Sequence, residues 1–99
     1  MQVLIEMGGV ARLTDADNFR AFDVQLSPGA NVDDLAAGAA AAGRLDPDGE
    51  HIWVSPDWIR AQAKGGTDWA AGFEKMLVFA AKSGWMDAEG LVRAHIVRA

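Results

Sequence analysis

The sequence predicts an α+β fold, a single domain over residues 1–99 in which helices back one mainly antiparallel four-stranded sheet. Residues 3–7 and 22–26 alternate apolar with polar side chains, as half-buried strands do. A longer segment from Asp68 repeats apolar residues with the helical period. Ninety-nine residues can build one modest hydrophobic core. The predicted order of elements is β-β-α-β-α-α-β.

The first two strands are predicted to form an antiparallel hairpin. The strand that begins at Gln2 is interrupted at Gly8-Gly9, by a bulge or a turn, and resumes over residues 10–13. A polar loop of turn-forming residues, 14–18, separates it from the clear strand alternation of residues 21–26. Two alternating segments joined by such a loop favour antiparallel pairing.

Three helices have recognisable beginnings or ends. They are predicted over residues 32–42, over residues 56 to about 64, and from Thr67 or Asp68 to just before Gly84. Asn31 is a good N-cap for the first helix, and two aspartates in the first turn suit the helix dipole. Ser55-Pro56 begins the second helix with a cap and an N1 proline. Gly84 supplies the glycine that commonly ends a helix.

The third and fourth strands, residues 50–54 and 91–97, carry both histidines. His51 shares a strand face with Trp53, and His95 shares one with Arg93. If these two strands are neighbours, the two imidazole rings can lie close together.

Composition and charge exclude several functional classes. The net charge is −5, with eight acidic residues and three arginines in residues 1–49, so a nucleic-acid partner is not expected. The chain has no cysteine, hence no disulfide, no thiolate metal site and no cysteine nucleophile. No stretch approaches the roughly 20 apolar residues of a membrane span, and the N-terminus does not resemble a signal peptide. A cytoplasmic protein without a membrane partner is expected.

Motif spacing predicts neither a cofactor nor a metal site. Gly38 and Gly43 have the spacing of a phosphate-binding loop, but Arg44 follows where lysine should stand. Two histidines without a placed carboxylate fall short of the three or four ligands of a zinc site.

The first functional hypothesis is a non-catalytic module that self-associates as a homodimer or binds another protein. Alanine dominates the apolar composition, so the core is thin, and small cores are often completed by association. Val78 lies within the polar face of the long helix and Phe79 at its edge. Exposed apolar residues on a charged face commonly mark an interface. The interface is expected on this helix or at a sheet edge.

The alternative hypothesis is a small-molecule binder or minor enzyme. Indole rings can line a pocket, and Trp53, Trp58 and Trp85 are the candidates, with Arg60 at the rim. His51 or His95 would then act as general base, because histidine changes its charge near neutral pH.

Overall fold

The computed structural model describes residues 1–98 and contains three helices and six strands in that range. The strands are β1 (Gln2–Ile5), β2 (Ala11–Thr14), β3 (Asp23–Leu26), β4 (Gly43–Leu45), β5 (His51–Val54) and β6 (Val92–Arg98). The helices are α1 (Val32–Ala42), α2 (Pro56–Ala63) and α3 (Thr67–Lys82). No helix in this range combines the length and apolar character that crossing a membrane requires. All three helices lie where the sequence predicts them.

The α+β class is confirmed, but the predicted mainly antiparallel four-stranded sheet is wrong. The structure has one curled, mixed sheet of six strands, a half-barrel with the order β2-β1-β3-β6-β5-β4. The pairs β1–β2, β5–β6 and β4–β5 are antiparallel, whereas β1–β3 and β3–β6 are parallel. Two strands were missing from the prediction, and each has a local cause.

The first missing strand is β2, which the sequence suggested was a continuation of β1. Gly8 and Gly9 both have positive φ angles, 90° and 83°, so the chain reverses there. The Glu6 N–H donates to the Val10 carbonyl at 2.9 Å and closes the turn. The hairpin of this molecule is therefore β1–β2, with Val3 opposite Leu13.

The predicted hairpin partners β1 and β3 are neighbours, but they run parallel. Because β2 returns the chain to the start of β1, the following loop delivers β3 in the same direction as β1. The N-terminal ammonium group holds this loop, donating to the carbonyls of Asn18 at 2.7 Å and Ala21 at 2.9 Å.

The second missing strand, β4, begins at the glycine that ends α1. Gly43 has an extended φ of 166° and lies opposite Val54 in the sheet. A Cβ at this position would collide with the Trp53 carbonyl, so only glycine allows β4 to approach β5 here. The strand has three residues, too few to show an alternating pattern.

One face of the sheet forms the core together with the helices. Alternate strand residues are buried against Leu35, Phe73 and Leu77 from the helices. The buried strand residues are Val3, Ile5, Val24, Leu26, Ile52, Val54, Val92, Ala94 and Ile96. The opposite face carries the other strand residues, none of which is fully buried. His51 and Trp53 of β5 point to this second face and are half-buried.

Helix α1 lies close to the sheet because its inner surface is made of small residues. Gly38, Ala39 and Ala42 are buried there. A Cβ added at Gly38 would lie 2.7 Å from Cγ2 of Ile5. The alanine-rich segment is thus a closely packed helix rather than a linker.

Candidate functional site

The two histidines lie side by side on the face of the sheet that the helices leave uncovered. Strands β5 and β6 pair so that His51 is directly opposite His95. The ring centroids are 5.1 Å apart and the ring planes meet at 70°. Directly opposite residues of an antiparallel pair have neighbouring Cβ atoms, which accounts for this proximity.

Asp48 orients the His51 ring from the turn that precedes β5. Its Oδ2 lies 2.7 Å from Nδ1 of His51. A carboxylate only accepts hydrogen bonds, so Nδ1 carries the hydrogen and donates it. In the neutral ring Nε2 is then the atom with a free lone pair, which is the arrangement a general base requires.

Asp48 is itself held as a carboxylate. Its Oδ1 accepts from the backbone N–H of Glu50 at 2.7 Å and from that of His51 at 3.2 Å. The Glu50 hydrogen bond and the His51 ring favour the ionised form and outweigh desolvation, lowering the pKa of Asp48 to about 2. The partner of His51 therefore stays negative at any physiological pH.

Arg93 completes this polar cluster from β6. Its Nη2 lies 3.3 Å from Nδ1 of His51 and 3.7 Å from Oδ2 of Asp48. Because Nδ1 already points its hydrogen at Asp48, the guanidinium balances the carboxylate charge rather than donating to the ring.

Two adjoining depressions lie beside the histidines. The shallower one, about 190 Å³, is lined by Phe22, His51, Trp85, Arg93 and His95. The second, about 230 Å³ and mainly apolar, is called the α3 cleft; it is lined by Phe19, Arg20, Ala21, Phe22, Met76, Phe79, Ala80, Trp85, Val92 and Arg93. Phe22, Trp85 and Arg93 belong to both linings, so the apolar cleft opens directly towards the histidine pair.

Of the predicted pocket residues, only Trp85 lines the depression that contains the histidines. The Trp53 indole donates from Nε1 to Asp46 at 2.8 Å, and it lines neither depression. Trp58 packs, partly buried, against the core from α2. Arg60 bridges Asp57 at 3.1 Å and Glu74 at 2.8 Å. These three side chains therefore contact other groups, outside the two depressions.

The two predicted interface residues are exposed on α3. Val78 has 52% of its surface exposed and Phe79 has 60%. Trp85, 47% exposed, lies next to Phe79, with the two ring centroids 5.6 Å apart in an edge-to-face contact. Val78, Phe79 and Trp85 are called the α3 patch below.

The cleft contains residues that the sequence did not suggest. Phe19 and Phe22 belong to the loop before β3, and Met76 is on the flank of α3. Phe19, directly after the predicted polar loop, was the available signal, because exposed loops rarely carry such a large apolar side chain, whereas Phe22 was predicted to belong to the strand.

Neither a metal-binding cluster nor a similarity to a known protein assigns a function to this site. Among residues 1–98, no group of three or more His, Cys, Asp or Glu side chains is arranged to hold a metal ion. No family model, curated protein sequence or solved structure matches the chain. Function is therefore inferred from the chemistry of the chain's own residues.

Proposed function

We propose that this protein is a non-catalytic interaction module that forms a homodimer through α3. The α3 patch is the observation that carries the proposal. Its three large apolar side chains are each about half exposed, Phe79 and Trp85 are in edge-to-face contact, and Val78 precedes Phe79 on the helix. Exposing such a cluster costs free energy in water, and a second copy of the same surface would remove that cost.

The charges around Val78 support an antiparallel pair of α3 helices. Glu74 lies four residues before Val78 and Lys82 four residues after it, so all three share one helix face. A two-fold axis through Val78 would set each Glu74, which also pairs with Arg60 at 2.8 Å, opposite the partner's Lys82. A symmetric dimer requires this kind of self-complementary surface.

Small residues on the same side of α3 favour close approach of two helices. Ala71 and Ala81 are exposed there, one on each side of Val78 along the helix. Helices that meet through small side chains approach at the lower end of the usual 8–10 Å interaxial range. Such a pairing would bury Val78 without displacing the core face of the helix.

Sedimentation velocity over a range of protein concentrations tests the dimer. The wild-type chain is expected to sediment as a dimer at micromolar concentration, and Val78→Glu as a monomer, because a charge at the two-fold axis would face its own copy. Val32→Glu is the matched control, since Val32 is 78% exposed on α1 and lies outside the α3 patch. A wild-type chain that stays monomeric, or a Val78→Glu variant that stays dimeric, would contradict the proposal.

The second candidate function is a small-molecule site, with or without catalysis, where the α3 cleft meets the histidine pair. The Asp48–His51 hydrogen bond favours it, because it leaves Nε2 of His51 free to take a proton. His95 and Trp85 line the same depression, so they can contact a ligand held there.

A fragment screen followed by NMR tests the second candidate. Fragments that bind are expected to perturb the NMR signals of His51, His95 and Trp85 together. The His51→Ala variant is expected to bind these fragments more weakly. Asp57→Ala, which removes an exposed carboxylate near Arg60 on α2, is the control. Fragments that bind elsewhere, or that bind His51→Ala equally well, would count against the site.

A cytoplasmic location belongs to the same proposal. A chain without cysteine needs no oxidising compartment to fold, and its acidic surface suits solubility. Cell fractionation of the tagged, full-length protein is expected to recover it with cytoplasmic markers, and recovery with the membranes or outside the cell would contradict this.

A further inference from the structure

The α3 cleft combines an apolar wall with a rim whose only charged members are positive. Its lining includes the aromatic rings of Phe19, Phe22, Phe79 and Trp85. The charged residues of the lining are Arg20 and Arg93, and no aspartate or glutamate is among them. This is an unusual surface on a chain of net charge −5.

Arg20 is the more available of the two cations. Its side chain is exposed and takes part in none of the ion pairs formed within residues 1–98. Arg93 shares its charge with Asp48, 3.7 Å away. An anion at the rim would therefore meet one unpaired guanidinium and one that is partly neutralised. A guanidinium offers paired N–H donors that match the two oxygens of a carboxylate.

The volume of the cleft limits the size of the ligand. About 230 Å³ is below the roughly 300–1,000 Å³ of pockets for drug-sized molecules. One or two fused rings, or a short alkyl chain, would fill it. Aromatic walls of this kind recognise flat apolar groups.

We propose that the α3 cleft binds a small amphipathic carboxylate, with its apolar body among the aromatic rings and its carboxylate at Arg20 and Arg93. The proposal deepens the second candidate function and rests on it, whereas it does not depend on the homodimer. It names the chemical class of the ligand, which the histidine pair alone does not.

Indole-3-acetate and indole-3-acetamide are matched probes, since they share a ring system and differ in charge. Binding is measured by isothermal titration and by NMR on the Val78→Glu variant, so that dimer formation does not compete for Phe79 and Trp85. Indole-3-acetate is expected to perturb the cleft residues and to bind at least about tenfold more tightly than the amide, as charge-assisted hydrogen bonds are the stronger ones.

Arginine variants separate a carboxylate site from general electrostatic attraction. Arg20→Gln is expected to weaken the binding of indole-3-acetate by about tenfold and to leave the affinity for the amide unchanged. Arg12→Gln is the matched control, because Arg12 is an exposed arginine on β2 that pairs with Glu6 and does not line the cleft.

The outcomes are decisive in both directions. The proposal would be overturned if the acid and the amide bind with equal affinity, or if Arg20→Gln and Arg12→Gln weaken the binding of indole-3-acetate equally. NMR signal changes outside the cleft would also overturn it. No binding of either probe at millimolar concentration would overturn the second candidate function at this cleft as well. If fragments without an anionic group perturb the histidine signals, the second candidate function is upheld and the proposal of a carboxylate ligand is rejected.

Discussion

Single residues decide the chemistry of the site, and Asp48 is the clearest case. It caps the backbone of the turn before β5 and binds the ring of His51 with the same carboxylate. His51 then meets His95 on the next strand, so one aspartate sets the orientation of the pair's first ring.

Asp48 gives a pH prediction with a definite sign. Its pKa is lowered from 3.8 to about 2, so its contribution to stability is complete above 3.8 and is lost as the pH falls towards about 2. The Asp48 side-chain carboxyl ¹³C resonance is expected to titrate near pH 2. In Asp48→Asn, the ¹⁵N signals of His51 are expected to lose the preference for hydrogen on Nδ1.

The exposed aspartate Asp17 serves as the control for this prediction. Asp17→Asn is expected to leave the ¹⁵N signals of His51 unchanged, because Asp17 lies in the loop before β3. A tautomer preference that survives Asp48→Asn would show that another group orients the ring.

Gly38 supports a second prediction at the residue scale. Gly38→Ala improves helix propensity by up to about 1 kcal/mol, but its Cβ would lie 2.7–2.9 Å from three atoms of the Ile5 side chain. Because Ile5 is fully buried, the cost of overpacking is expected to exceed the gain in helix propensity. The net effect is a decrease of about 1–2 kcal/mol in the free energy of unfolding. Denaturant unfolding measures the change.

Gly66→Ala is the comparison for Gly38→Ala. Gly66 has a negative φ of −84°, and a Cβ there meets nothing within 4 Å. Because Gly66 is the N-cap of α3, where glycine is better than alanine, its replacement is expected to cost less than about 1 kcal/mol. A Gly38→Ala variant as stable as Gly66→Ala would mean that α1 does not press against Ile5.

At the scale of elements, α3 is a helix with two apolar surfaces, one buried and one exposed. Phe73, Leu77 and Ala80 are buried in the core. Val78 and Phe79 lie outside it and are exposed. The first surface attaches the helix to the sheet, and the second is exposed to solvent.

The two phenylalanines of α3 form a matched pair for measuring this difference. Phe73→Ala is expected to lower the free energy of unfolding by about 3–5 kcal/mol, since Phe73 is fully buried. Phe79→Ala in the monomeric Val78→Glu background is expected to cost less than about 1 kcal/mol. Comparable losses in the two variants would show that Phe79 belongs to the core of the monomer.

Helices could be predicted from the sequence because their signals are local. Asn31, Ser55-Pro56 and Gly84 mark helix ends within a few residues of the chain. The sheet could not be predicted in the same way. Gly8-Gly9 fits a bulge as well as a reversal, and β4 is too short to alternate, so the strand count and the parallel β1–β3 pair depend on contacts between distant segments.

The candidate site was predictable only in part for the same reason. The pairing of His51 with His95 requires β5 and β6 to be neighbours in one particular register. A shift of one residue would place the two rings on different faces. Trp53 and Arg60 fitted a pocket by residue type, but Asp46 and Glu74 engage them elsewhere.

On the scale of the whole molecule, the curled sheet has one face in the core and one largely uncovered. The helices supply the core from one side, and the loop before β3 meets α3 and Trp85 at its margin to form the cleft. The α3 patch lies at the same margin, because Phe79 and Trp85 belong to both. Self-association and ligand binding would therefore use overlapping surfaces.

Oxidative cross-linking of Val78→Cys tests the antiparallel α3 dimer most directly. The natural chain has no cysteine, so this variant carries a single thiol. A two-fold axis through position 78 would bring the two Cβ atoms near the roughly 3.5–4.5 Å that a disulfide requires. We predict rapid formation of a covalent dimer at micromolar concentration, while Val32→Cys, exposed on α1, stays monomeric. Cross-linking of Val78→Cys no faster than Val32→Cys would contradict the proposed dimer.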